Sequence, residues 1–184
     1  MKNADYDKYY INEIDYKRPY PGFCNFFINY APKGKVLDLG CGFGKDSLFL
    51  GKLGYSVRSI DISKPGLDLI NRLGKKYDMD IDGYLADMFD YPIIEEVDIV
   101  LLDDVLELTH KNIVKETLFV KRIADEIKVN GVIALFTKEN SGKEKTVKDI
   151  FISNDNINWE ILLDSYTSDY EDDKTYHMFI VRKK

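Results

Sequence analysis

The chain has 184 residues, 45% hydrophobic and 32% charged, with a formal net charge of −6, which suffices for one well-buried α/β domain and is short for two. Nucleic-acid binding calls for a basic stripe to displace counterions from phosphates, whereas Lys and Arg are scattered here apart from Arg182-Lys183-Lys184. No apolar run approaches a membrane span, Met1-Lys2-Asn3-Ala4-Asp5-Tyr6 lacks a signal-peptide core, and Cys24 and Cys41 suggest neither a disulfide framework nor a metal cluster, so a cytoplasmic location is expected.

Residues 1–20 are polar and rich in tyrosine (Tyr6, Tyr9, Tyr10, Tyr16 and Tyr20), and Pro19 and Pro21 are expected to interrupt any helix there. Phe23, Phe26, Phe27 and Tyr30 recur at helical spacing and predict a helix over 23–30, ended by Pro32-Lys33-Gly34. A first strand over 35–39 follows, then a helix with Leu48, Leu50 and Leu53 on its apolar face and Gly54 as its C-cap. The second strand, 55–60, is closed by Asp61. Ser63 is a good N-cap for the next helix, with Pro65 near its start, Leu67, Ile70 and Leu73 inward and Gly74 beyond its end.

A third strand covers 81–85, and a fourth, 97–102, is an apolar run with one Asp that reads as buried on both faces. Ile113, Val114, Leu118, Val120, Ile123 and Ile127 mark another helix, after which Asn130-Gly131 turns into a fifth strand over 132–137. This alternation implies a parallel sheet with right-handed crossovers. The segments 159–166 and 175–181 also read as strands, and the acidic loop around 169–173 is too short for a parallel crossover, so these two form an antiparallel hairpin.

The most informative stretch is Val36-Leu37-Asp38-Leu39-Gly40-Cys41-Gly42-Phe43-Gly44, in which a buried strand runs into glycines on alternate positions ahead of a helix N-terminus. Such a junction is a nucleotide-cofactor site. The glycines run G-x-G-x-G rather than the dinucleotide fingerprint G-x-G-x-x-G, with Lys45 where the third glycine of that fingerprint would fall. Asp46 after Gly44-Lys45 also excludes the P-loop signature. Asp38, just ahead of the first glycine, would repel a pyrophosphate and suits a ligand carrying an ammonium or sulfonium charge. Asp61, about 20 residues further on at the end of the second strand, can accept two hydrogen bonds from ribose hydroxyls.

V-L-D-L-G-C-G-F-G resembles the first motif of the class I S-adenosylmethionine (SAM)-dependent methyltransferases, and the likeness continues in order through most of the chain from about Lys35. It implies an α/β fold: a three-layer, Rossmann-like, doubly wound and mainly parallel seven-stranded sheet with an antiparallel C-terminal hairpin. The whole of 1–184 would be one methyltransferase domain, with 1–22 as an N-terminal lid segment and 23–184 as the SAM-binding core. SAM is the implied cofactor, and a small molecule the expected acceptor. A nucleic-acid partner, a membrane and a bound metal are not expected.

Within that resemblance Gly40, Cys41, Gly42 and Gly44 supply close backbone, Asp38 faces the methionine portion, and Ile62 walls the adenine beside Asp61. Asp87 would accept from the adenine amino group and Met88 would contribute its backbone amide. The stretch Leu101-Leu102-Asp103-Asp104-Val105-Leu106-Glu107-Leu108 looks like the D-V-L-E-H-L pattern of small-molecule methyltransferases, notably quinone-biosynthesis O-methyltransferases, except that Leu108 replaces the His, and the chain as a whole most resembles quinone-biosynthesis-like or tellurite-resistance-like members of that class. Asp103 and Asp104 are therefore the candidates to orient or deprotonate the acceptor, with Asp103 also beside the cofactor, and His110 is either a general base or a helix-start residue. Tyr16 and Arg18 are candidates for the SAM carboxylate. The alternatives are an RNA or protein methyltransferase working with a partner, a non-catalytic SAM-binding protein, and a nicotinamide-dependent reductase.

Overall fold

A computed structural model describes residues 18–94, 96–139, 142–152, 157–170 and 173–184. Its elements are α1 (Pro21–Asn29), β1 (Lys35–Leu39), α2 (Lys45–Lys52), β2 (Ser56–Asp61), α3 (Lys64–Lys76), β3 (Ile81–Leu85), β4 (Ile99–Asp103), α4 (Ile113–Glu126), β5 (Val132–Lys138), α5 (Lys143–Ile152), β6 (Trp159–Ser168) and β7 (Thr175–Lys183). The strands make one seven-stranded sheet in the order β3-β2-β1-β4-β5-β7-β6. Neighbours from β3 to β5 pair in parallel, while β7 pairs antiparallel with both β5 and β6.

Side-chain alternation along the strands divides the core between two faces. Val36 and Leu101 lie on one face with Phe23 and Phe27 of α1, Leu48 of α2 and Ile70 of α3. Leu37 and Leu102 lie on the other with Phe119 and Ile123 of α4 and Val147 and Phe151 of α5. The expected three layers and C-terminal hairpin are present, and β4 is buried on both faces as its apolar run predicts.

Three local expectations need correction. Pro21 begins α1, occupying an N-terminal position where a missing N–H costs nothing. Gly74 lies inside the last turn of α3, where an added Cβ would sit 3.3 Å from the carbonyl oxygen of Ile81; the glycine lets the helix approach β3 closely. Ser63 holds the N-cap position of α3, but its side chain does not cap the helix. Helix α5 is not evident from the sequence, because only Val147, Ile150 and Phe151 turn inward from an otherwise charged segment.

Tyr20, grouped with the lid tyrosines, is instead buried in the core, its ring stacked on Tyr176 with centroids 4.2 Å apart. The backbone amide of Gly22 donates to Thr167 Oγ1 of β6 at 3.0 Å, so 20–22 belong to the packed body of the domain. Tyr6, Tyr9, Tyr10 and Tyr16 lie outside the described residues. Among the described residues no helix is long and apolar enough to cross a membrane.

Helix α3 starts hard against the glycine loop. A Cβ on Gly66 would fall 2.2 Å from the carbonyl oxygen of Gly42, a contact with backbone that no side-chain movement relieves. At a compatible helical site Gly→Ala stabilises by about 0.4–1 kcal/mol. Here the sign should reverse: Gly66→Ala is expected to destabilise by about 1–3 kcal/mol, measured by denaturant unfolding, and a stabilised variant would show that the loop yields.

Candidate cofactor and methyl-transfer site

The site is set by topology. From β1 the chain winds outward through β2 to β3, then returns to place β4 on the other side of β1, so β1 and β4 flank the switch point of the sheet. Open α/β sheets bind ligands in the crevice at such a point, outside the C-terminal strand ends. The glycine loop leaves β1 there, and Asp103 ends β4 beside it.

The glycine loop is fastened to the end of β2. The amides of Gly40 and Cys41 both donate to the Ile60 carbonyl, at 2.8 and 3.1 Å. The Gly42 amide donates to Asp61 Oδ2 at 2.8 Å, and the Ser63 amide to Asp61 Oδ1 at 2.8 Å. Each carboxylate oxygen of Asp61 therefore holds one backbone amide and keeps acceptor capacity for another donor. Gly40, at φ +79°, is left-handed, and a Cβ there would lie 2.5 Å from Val105 Cγ1 and 3.4 Å from Met88 Sδ. Glycine at this position thus lets the loops after β1, β3 and β4 converge.

Asp87 reaches the same end of the sheet: Leu85 pairs with Asp61, and the Ala86 amide donates to the Asp61 carbonyl at 3.0 Å. Asp87 is exposed, one oxygen accepting from the Phe89 amide at 2.9 Å. Ile62 is partly exposed beside Asp61. Asp38 is buried, accepting from Ser47 Oγ of α2 at 2.6 Å, and Ser47 Oγ lies 2.7 Å from Ser59 Oγ of β2. Burial pushes its carboxyl up to about 7, against the Ser47 hydrogen bond that favours the charged form. The Cys41 thiol is likewise held well above its usual range by burial and the nearby Asp38 and Asp61 charges, so it is not a thiolate nucleophile.

Asp103 is nearly buried, with its side chain 6% exposed, and Oδ2 is ion-paired with Lys45 Nζ at 2.9 Å. Lys45 Nζ also sits 3.9 Å from the ring centroid of Tyr20. Next to it Asp104 is exposed on left-handed backbone at φ +51°, its amide donating to the Phe136 carbonyl at 2.8 Å. Partial desolvation, then the charge of Asp103, raises the Asp104 carboxyl. The two aspartates thus differ sharply in availability.

His110 is exposed in the turn just before α4, the helix-start position that was its alternative assignment; nothing in the described structure joins it to Asp103 or Asp104. Arg18 is exposed, and Tyr16 lies outside the described residues. Sequence reasoning missed Lys45 and Glu116 as site-building groups. A lysine in the first turn of a helix sits against the dipole, but nothing local in the sequence points to Asp103 as its partner. Glu116 of α4, 3% exposed, accepts from the Glu107 amide at 3.1 Å and the Leu108 amide at 2.5 Å, pinning the loop that follows β4. Leu108 is left-handed at φ +48°. Among the described residues no cluster of three or more His, Cys, Asp or Glu side chains could hold a metal ion.

A glycine loop at the switch point, an acidic residue closing the neighbouring strand and a reversed β7 define the class I SAM-dependent methyltransferase architecture. More narrowly, the chain belongs to the tellurite resistance protein TehB family, whose model matches residues 7–156. It is 39% identical over 67 residues to a probable SAM-dependent methyltransferase TehB of Haemophilus influenzae; that segment is 36% of this chain and 23% of the relative's length. The solved structure of Haemophilus influenzae TehB superposes with a TM-score of 0.66 at 21% identity, covering 100% of this chain and 68% of that one. A Burkholderia thailandensis 1,6-didemethyltoxoflavin N1-methyltransferase, solved with 1,6-didemethyltoxoflavin and S-adenosylhomocysteine, superposes with a TM-score of 0.74 at 14% identity, covering 99% and 84%. At such identities the two structures speak to the fold.

Glu116→Gln should loosen the loop after β4, because the amide nitrogen of Gln cannot accept the second backbone N–H. The expected cost is about 1–3 kcal/mol, read by denaturant unfolding together with faster hydrogen exchange at Glu107 and Leu108. Unchanged exchange at both amides would contradict the pinning role.

Proposed function

We propose that this protein binds SAM in the crevice between β1 and β4 and transfers its methyl group to an oxygen, nitrogen or sulfur nucleophile of a small-molecule acceptor. The observation that carries this is Asp61, whose two oxygens each hold one backbone amide and can still accept from a pair of ribose hydroxyls. The donor set also suits the cofactor's charge. Asp38, Asp61, Asp87 and Asp103 make an acidic wall that complements a sulfonium and an ammonium and disfavours the pyrophosphate of a nicotinamide dinucleotide.

When bound, the cofactor supplies a methyl group that its sulfonium already makes electrophilic. The chain's own work is then alignment and exclusion of water. Asp61 orients the ribose, Ile62 gives the adenine an apolar wall, and Asp87 with the Met88 amide meets the adenine edge. The main chain of Gly40, Cys41, Gly42 and Gly44 lies along the methionine portion, with Arg18 and Tyr16 as candidates for its carboxylate. Asp103, already held by Lys45, serves as a fixed charge. Asp104, exposed and with a raised carboxyl, is the residue we assign to orient the acceptor or take its proton.

The net charge of −6 favours a small molecule over a nucleic acid. Free Cys24 and Cys41 fit a reducing, cytoplasmic setting. Asp61→Ala should weaken binding of SAM, or of its demethylated product S-adenosylhomocysteine, by at least ~1.5–3 kcal/mol in calorimetry, with circular dichroism unchanged. Wild-type affinity in that variant would remove Asp61 from the site. A labelled-methyl screen against small molecules, RNA and proteins then tests the acceptor: transfer only to a macromolecule overturns the acceptor class, and binding without any transfer indicates a sensor.

A further inference from the structure

Two carboxyls meet beneath the glycine loop in a way that ordinary acids do not. Asp46, in the first turn of α2, is 5% exposed, and Asp103 ends β4 with its side chain 6% exposed. Oδ1 of each is buried with no hydrogen-bond partner, although the two carboxyls lie close enough to act on one another directly. Two ionised carboxylates are both acceptor-only, so that contact requires a proton on one of them. Lys45 holds the other oxygen of Asp103, which marks Asp103 as the ionised member and Asp46 as the acid.

We propose that Asp46 is a positioning residue for Asp103: the pair holds one proton between them, and Asp46 donates it to fix Asp103 from the side opposite Lys45. Gripped at both oxygens, Asp103 has a single orientation at the mouth of the crevice and is a fixed charge rather than a base. Its role toward the cofactor rests on the methyltransferase function proposed above; the proton sharing stands without it.

The surroundings favour the neutral acid. Burial holds the Asp46 carboxyl well above the usual carboxylate range, and the charges of Asp103 and Asp38 act in the same direction. Lys45, its neighbour on α2, opposes them, and it is kept charged against burial by its ion-pair partner Asp103 and by Asp169. The thiols of Cys24 in α1 and Cys41 in the glycine loop are the other titratable groups near Asp46, and burial raises both, so neither brings a charge. Tyr20 covers Lys45 and stacks on Tyr176 of β7; burial pushes the Tyr20 hydroxyl far up, so it brings no charge.

The sign of the pH effect follows. Between the ordinary carboxylate range and the raised value of Asp46, the folded state binds one more proton than the unfolded state. The folding equilibrium constant therefore falls by up to about tenfold per pH unit across that window. An asparagine supplies the donor without the titration.

Three proteins decide the matter: wild type, Asp46→Asn and Asp46→Ala. In the ligand-free proteins, the infrared C=O stretch of a protonated carboxyl should be present in wild type at pH 7 and reduced in Asp46→Asn. The fall of stability with pH should likewise be shallower in Asp46→Asn by one proton's worth. S-adenosylhomocysteine should bind Asp46→Asn within about threefold of wild type and Asp46→Ala about tenfold more weakly, because Ala leaves Asp103 Oδ1 unpaired. An unchanged carboxyl band and an unchanged pH slope in Asp46→Asn would overturn the shared proton. Asn weakening binding as much as Ala would overturn the positioning role. Should the wild type bind no S-adenosylhomocysteine, the proposed function fails, while the band and the slope still decide the proton.

Discussion

The end of β2 is the joint on which the site hangs. Within two residues, Ile60 and Asp61, the main-chain and carboxylate oxygens accept from the glycine loop after β1, from the first turn before α3 and from the chain leaving β3. Loops at a sheet edge otherwise carry unsatisfied amides and wander. Here a buried carboxylate satisfies two of them, and the loops keep a fixed mutual geometry before any ligand arrives. Pre-organisation of this kind lowers the ordering cost of binding.

Charge follows a matching logic. The crevice gathers more acid than base, as a cationic ligand would require, but the chain does not leave those acids to repel one another. Asp38 is bonded by Ser47, Asp103 is paired with Lys45, and Asp61 holds backbone amides. Lys45 in turn sits on the face of Tyr20, so an aromatic ring that looks like surface composition in the sequence becomes part of the electrostatics.

How far this was legible depended on distance along the chain. Strands 35–39 and 81–85 coincide with β1 and β3, since short apolar runs bounded by turn residues carry their own signal. The glycine loop and Asp61 were legible because a fixed offset joins them across a single βαβ unit. The Lys45–Asp103 pair was not, since it joins α2 to a strand far along the chain and no local pattern announces it. Tyr20 misled for a related reason: composition groups it with its tyrosine neighbours, whereas Phe136 and Tyr176, from the far end of the chain, decide where it goes. Gly74 reads as a stop signal in the sequence but is a point of close approach, a distinction set by Ile81 across the gap.

The order β5-β7-β6 has a consequence for how the molecule is made. Strand β7 follows β6 in the chain but lies between β6 and β5 in the sheet, and Lys183 reaches back to the carbonyls of Ala124, Asp125 and Ile127 at the end of α4. During synthesis β5 therefore stands with a bare edge, and α4 with open carbonyls, until Thr175–Lys183 has emerged from the ribosome. A nascent chain halted before that point carries an unpaired apolar strand of the kind that recruits other chains. The sheet is closed by an insertion rather than an addition, so the domain matures in one late step.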